Sequence, residues 1–132
     1  MYRAIAYALL MKEVFSESFP VSLTNCGYET SYASSPKRAV TMNQAATEIM
    51  LSLGLEGSMV GTAYLDDEIL PALKDAYEMI PVLSSTYPSY QELLALNPDF
   101  IYASYSSAFR DAYAGPRANL TTIGIGLYVS PS

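Results

Sequence analysis

The 132-residue chain contains no histidine. That removes the usual general base near neutral pH, the commonest zinc ligand and any Ser-His or Cys-His pair, and with them most hydrolase chemistry. Cys26 is the single cysteine, so neither an internal disulfide nor a cysteine cluster can form. It reads as a small buried hydrophobe, and its setting "NCG" as a tight hairpin turn with Gly27 free to take positive φ. Basic residues are scarce: 7 against 13 acidic ones, a net charge of −6. Such a chain has no electrostatic footprint for DNA, RNA or anionic lipid, so nucleic acid is not an expected partner. No run approaches the roughly 18 apolar residues needed to span a bilayer, and a soluble protein or soluble fragment is expected.

What is present is apolar. Hydrophobic residues make up 51% and charged residues only 15%, the composition of a packed body, and the length suits one domain. The opening "MYRAIAYALLMKEVF" carries an apolar run from Ala4 to Met11 without a small-residue cleavage site, at best a degenerate signal peptide or a short helix. Residues 1–19 are therefore set apart from a single domain over 20–132.

Within that domain "PVSLTNCGYETSY" alternates around Asn25-Cys26-Gly27 and predicts a hairpin of Val21 to Thr24 with Tyr28 to Tyr32. Strands follow at Ala39 to Met42, Ser58 to Ala63, Ile80 to Leu83, Asp99 to Ser104 and Thr121 to Val129. A helix after Met42 would bury Ala45, Ala46, Ile49, Met50 and Leu53 and stop at Gly54. A second helix would begin at the acidic run Asp66-Asp67-Glu68, whose charge suits a helix dipole, and a third spans Tyr90 to Leu96 before Asn97-Pro98. Strands alternating with helices predict an α/β fold: a Rossmann-like three-layer lobe with a mainly parallel sheet, preceded by a short β-hairpin.

Sites in open parallel sheets lie beyond the carboxyl ends of the strands. The loops to inspect are Asn43-Gln44, Tyr64-Leu65, Ser84 to Pro88, Tyr105-Ser106 and Tyr128. Tyrosine is plentiful, at 12 residues, and a rim of tyrosines suits a bulky organic ligand. The turn "TMNQ" lacks the glycine that a phosphate cradle needs. Structural alternatives exist for the same residues: Asn43 as a helix N-cap, and Thr41-x-x-Gln44 as a capping box. Ser84, Ser85, Ser106 and Ser107 have no base nearby and read as loop and cap residues, so no enzyme is expected. The acidic run lacks the spacing of a hard-metal loop.

In this order, "NCG", "PKRAVTMNQAATEIMLSLGLEGSMVGTAYLDD", "YPSYQELLALNPDFIYASYSSAF" and "LTTIGIGLYVSPS" resemble the N-terminal lobe of the iron-siderophore, haem and cobalamin binding proteins of ABC importers, over about Phe19 to Ser132. The resemblance implies two α/β lobes joined by a long helix, with the second lobe absent from this chain, which is then either a fragment or a one-lobe product. It implies an extracytoplasmic location and a metal-chelate ligand, foremost a ferric siderophore, with haem or cobalamin behind it. No cofactor is implied beyond iron carried inside a chelate, and no metal site made wholly by protein. Asn43, Gln44, Tyr64, Leu65, Tyr105 and Ser106 match cleft loops and Tyr87 the loop from which haem-binding relatives can present a tyrosine to iron; Tyr128 is a candidate from its place near the last strand end.

Relatives carry a permease-docking glutamate eight residues before the aspartate of "NPD", where this chain has Gln91. Glu92 is adjacent but turned by about 100° on a helix. Those two positions are the candidates for contact with an ABC permease. The alternative function is a stand-alone one-lobe interaction protein that kept the fold and lost transport. The face that would meet a second lobe predicts a tendency to homodimerise.

Overall fold

Cys26 and Gly27 both take positive φ, 50° and 81°, the backbone of a two-residue turn whose twist matches antiparallel strands. It joins β1 (Val21–Asn25) to β2 (Tyr28–Tyr32), with Asn25 opposite Tyr28. Cys26 is exposed, not buried as its residue type suggested, because the tip of such a turn projects its side chains into solvent. These coordinates come from a computed structural model that describes residues 18–131; the signal-like reading of residues 1–17 lies outside them.

The remaining strands are β3 (Ala39–Met42), β4 (Met59–Ala63), β5 (Val82–Ser84), β6 (Phe100–Ala103) and β7 (Gly126–Val129). They form a five-stranded parallel sheet in the order β5-β4-β3-β6-β7, bearing out the α/β reading. The helices are α1 (Gln44–Ser52), α2 (Lys74–Glu78), α3 (Tyr90–Ala95) and α4 (Arg117–Thr122). One face of the sheet packs Met42, Ile101 and Leu127 against Leu93 of α3 and Leu120 of α4. The other packs Ala39 and Tyr102 against Ala46 and Met50 of α1, with Ile80. The order reverses at β3, whose neighbours β4 and β6 lead to opposite edges. The connections that leave β3 and β6 pass to opposite faces, to α1 on one and α4 on the other, which opens a crevice at the carboxyl ends of the two strands.

Several boundaries differ from the sequence reading. β5 begins at Val82, with Ile80 buried in the turn before it. Thr121 and Thr122 close α4, and Gly124 at φ 89° turns the chain before β7. The acidic run lies in a loop ahead of the turn that Pro71 opens, and the acid in the first turn of α2 is Asp75. The dipole account of Asp66 to Glu68 therefore fails. Helix α1 buries Ala46, Thr47, Met50 and Leu51, leaving Ile49 45% and Leu53 67% exposed. Its rotation is set by a hydroxyl: Thr47 meets Thr62 of β4 at 2.8 Å and Thr41 of β3 at 2.9 Å, all three fully buried. Thr41 is thereby committed to the core and forms no capping box.

The motifs "PKR" and "NPD" clasp one another beneath the sheet. Asp99 accepts the backbone N–H groups of Lys37 and Arg38 at 2.8 and 2.9 Å, while the Arg38 guanidinium donates to the carbonyls of Asn97 and Leu96. The cation thus satisfies free carbonyls at the end of α3, and the clasp fixes where β3 and β6 begin.

The open edge of β7 is covered by side chains of the hairpin. The Asn25 amide donates to the Val129 carbonyl and accepts the Val129 N–H, both at 2.8 Å, in the manner of a strand residue. Tyr32 donates its hydroxyl to the Leu127 carbonyl. Burial holds the Tyr32 phenol above its ordinary pKa, a shift that Arg117 and then Thr30 partly oppose. Arg117, only 7% exposed, donates to Asn25 Oδ1 and lies 4.2 Å from the Tyr28 ring centroid. Replacing Asn25 by Ala strips these groups of partners, and unpaired buried groups cost about 1–3 kcal/mol each. Urea denaturation of Asn25→Ala is expected to show a loss of about 2–4 kcal/mol; a change under about 0.5 kcal/mol would remove the clamp from the account.

Candidate functional site

The crevice at the ends of β3 and β6 begins with a strained turn. Asn43 leaves β3 at φ 77°, ψ 156°, a region that glycine occupies freely and other residues at a cost of about 1–3 kcal/mol. Its backbone N–H still pairs with the Ala63 carbonyl of β4. Its side chain, 2% exposed, makes no cap on α1; Ser104, beyond β6, accepts the Ala46 N–H of that helix instead. The N-cap reading of Asn43 is thus replaced by a cross-strand cap.

Freed from capping, the Asn43 amide donates to the Tyr87 hydroxyl at 3.1 Å, and the same hydroxyl lies 3.0 Å from Ser107 Oγ. Tyr64, after β4, also has positive φ, 57°. Its ring packs on that of Tyr87 with centroids 4.7 Å apart, and Tyr113 meets the other side at 5.2 Å edge-on. Asn43, Tyr64 and Tyr87 are therefore gathered at one place, joined by Ser107 and Tyr113. The last two were not among the binding candidates. Ser107 stands in "SYSSAF" beside Ser106, but only the buried end of the 3₁₀ turn Ser106–Phe109 turns it inward. Nothing in the local pattern distinguishes Tyr113.

Next to this cluster, and sharing Ser107, lies a cavity of about 540 Å³ lined by Ser104, Tyr105, Ser106, Ala45 and Val129. Tyr105 is 60% exposed there. The combined surface offers phenol, alcohol and amide groups, able to donate or accept hydrogen bonds, around flat aromatic area.

Other candidates stand apart. Gln44 turns away: its amide accepts the Asp67 N–H at 2.8 Å and donates to the Glu68 carbonyl and to Glu48. It holds the acidic loop beside the rim. Leu65 faces that loop and α2, among Ile69, Lys74 and Tyr77. Tyr128 lies inside β7, not at its end; its ring stacks edge-on with Tyr102 and borders an apolar hollow with Val21, Leu23 and Phe100. Gln91 is exposed. Glu92 completes a capping box with Ser89, whose backbone N–H and then side chain hold its carboxyl below the ordinary pKa. Among the described residues, no group of three His, Cys, Asp or Glu is placed to hold a metal ion, and no helix is long and apolar enough to cross a membrane.

No protein-family model matches the chain, and no curated protein does. Among solved structures it is similar to a periplasmic binding protein from Veillonella parvula, with 36% identity over 83% of this chain and 37% of that one, at a TM-score of 0.72. It is similar in fold to an ABC-type Fe3+-hydroxamate transport system from Saccharomonospora viridis, at 24% identity over 86% of this chain and 40% of that one, TM-score 0.67. The iron uptake ABC transporter substrate-binding protein PiuA from Streptococcus pneumoniae matches at 19% identity over 89% and 38%, TM-score 0.60. The chain spans between 37% and 40% of the length of these structures.

The strain at Asn43 can be measured. Asn43→Gly and Asn43→Ala both lose the amide bond to Tyr87, but only glycine relaxes the backbone. Asn43→Gly is expected to be more stable than Asn43→Ala by about 1–3 kcal/mol in chemical denaturation; an alanine variant as stable as the glycine one would show that the turn carries no strain.

Proposed function

We propose, from the premise that this chain is built as one lobe of the metal-chelate periplasmic binding proteins of ABC importers, that it contributes half of a binding cleft for a ferric chelate. The lobe recognises the organic shell of a siderophore, with haem and cobalamin as the next ligand classes, and iron enters inside its chelator. The protein acts extracytoplasmically, without catalysing a reaction, and hands its ligand to an ABC permease. One observation carries this reading: the cluster of Asn43, Tyr64, Tyr87, Ser107 and Tyr113 at the switch point of the sheet. Two strained turns converge there on neutral hydrogen-bonding groups and aromatic faces, the chemistry that holds a large organic ligand. The iron-related functions named for the structural neighbours support the choice of ligand.

The chain has no tryptophan, so its intrinsic emission reports on tyrosines. A ferric trihydroxamate is expected to quench that emission saturably, and Tyr87→Ala to weaken binding at least about tenfold through loss of a stacked, hydrogen-bonding ring. Unchanged affinity in Tyr87→Ala, or no response to ferric trihydroxamate, haemin or cobalamin, would sink the reading.

A second reading, a one-lobe interaction protein, is favoured by two observations. Glu92 is engaged in its capping box and its neighbour Gln91 is uncharged, which leaves the docking position without a free carboxylate. Ala45, Ile49 and Leu53 of α1, with Leu70, form an exposed apolar stripe that continues from the rim through Ala45. In this reading two copies of the chain cover the stripe against each other. Sedimentation is expected to show concentration-dependent dimerisation that Ile49→Glu and Leu53→Glu abolish. A monomer at every concentration removes the dimer.

A further inference from the structure

Away from the rim, the hairpin and the sheet enclose an apolar hollow of about 190 Å³, walled by Phe19, Val21, Leu23, Pro36, Phe100 and Tyr128. Alternation along β1 turns Val21 and Leu23 to one side and Ser22 and Thr24 to the other, yet the two apolar residues are only half-buried. Phe100 of β6 and Tyr128 of β7 stand on the face that packs Tyr102 against α1, and both are also half-buried. Phe19 is 41% exposed. None of the wall residues belongs to a helix, although parallel sheets are built with both faces covered. About six waters would fill this volume. The walls offer them little to bond, since the hydroxyl of Tyr32, which also borders the hollow, is committed to the Leu127 carbonyl.

The chain itself carries a cover of the right chemistry. Seventeen residues precede Ser18, and the next residue, Phe19, is part of the wall. Those seventeen include the uncharged run Ala4 to Met11, "AIAYALLM", bracketed by Arg3 and Lys12. From Met11 to Ser18 the chain advances seven residues, a reach of at most about 25 Å. A tether this short holds the run near the hollow at an effective concentration of about 1 mM. A contact with a Kd of only about 0.1 mM as a free peptide is then closed about nine-tenths of the time. A second copy at micromolar concentration has no such advantage.

We propose that the run Ala4 to Met11 docks in this hollow, burying aliphatic side chains against Val21, Leu23, Phe100 and Tyr128 and covering the sheet at β6 and β7. Arg3 and Lys12 bracket the buried stretch and keep their charges in water at its two ends. The driving force is the removal of apolar area from water on both partners. The docking is independent of what the rim binds, and it stands or falls apart from the chelate-binding reading.

The chain has no tryptophan, so Leu9→Trp in the full chain places a single reporter in the run. Its emission is expected at shorter wavelength than in the urea-unfolded chain, with acrylamide quenching at least about fivefold weaker, as a run docked about nine-tenths of the time requires. Two second substitutions are each expected to return both readouts to the unfolded values: Val21→Asp in the wall, and Leu10→Asp in the run, which leaves every described residue unaltered. If Val21→Asp does not fold, Leu23→Ser, a milder change in the same wall, replaces it. A reporter as exposed as in urea overturns the proposal. Protection that rises with protein concentration also overturns it and assigns the hollow to a second copy. Protection that survives the wall substitution in a chain that still unfolds cooperatively places the run elsewhere and overturns it as well.

Discussion

The arrangement at the rim depends on three buried threonine hydroxyls. Thr41 on β3, Thr62 on β4 and Thr47 on α1 lie within 3.0 Å of one another, and Thr47 also reaches the Asn43 carbonyl at 2.9 Å. Three hydroxyls have three protons to place. A consistent set has Thr41 donating to Thr62, Thr62 to Thr47 and Thr47 to Asn43, so no buried donor is wasted. Satisfying that set rotates α1 until Thr47 faces the sheet. With Thr47 inward, Ile49 and Leu53 face outward, and the chain enters the helix through the positive-φ turn at Asn43. The exposed stripe on α1 follows from the commitment of Thr47 to the core.

That commitment also explains what could be read in the sequence and what could not. β3 and the hairpin were legible to within a residue, because apolar alternation and a turn with glycine at its second position specify them locally. The parallel sheet followed from the alternation of strands and helices. The buried face of α1 was not legible: hydropathy places Ile49 and Leu53 inside and Thr47 outside, and only tertiary partners make a threonine the better core residue. Three of the candidate residues, Asn43, Tyr64 and Tyr87, do meet in space. Tyr128 stands apart from that cluster: it is the penultimate residue of β7, and its ring lies on the face shared with Tyr102.

The crevice illustrates how an α/β sheet builds a site without a glycine-rich turn. At a phosphate site the backbone N–H groups of the helix start face the ligand. Here the α1 start is partly occupied by Ser104, and Asn43 sends its amide sideways to Tyr87. The result exchanges a directed anion cradle for a flat, neutral surface. Contact with such a surface gains free energy through the apolar area covered and through hydroxyl and amide pairing, not through a directed charge.

The motifs that carry the family resemblance divide by the same physics. At the amino ends of β3 and β6 the Asp99 carboxylate accepts the N–H groups of Lys37 and Arg38 while Arg38 donates to the carbonyls of Asn97 and Leu96, and Asn25 seals the edge of β7. These residues hold the scaffold of this lobe together. Likeness in "NPD", "PKR" or "NCG" therefore argues for the fold and is silent on the ligand. The positions that the scaffold leaves free lie at the carboxyl ends of the strands, where open parallel sheets place their sites. In this chain those positions hold an amide, several hydroxyls and aromatic rings.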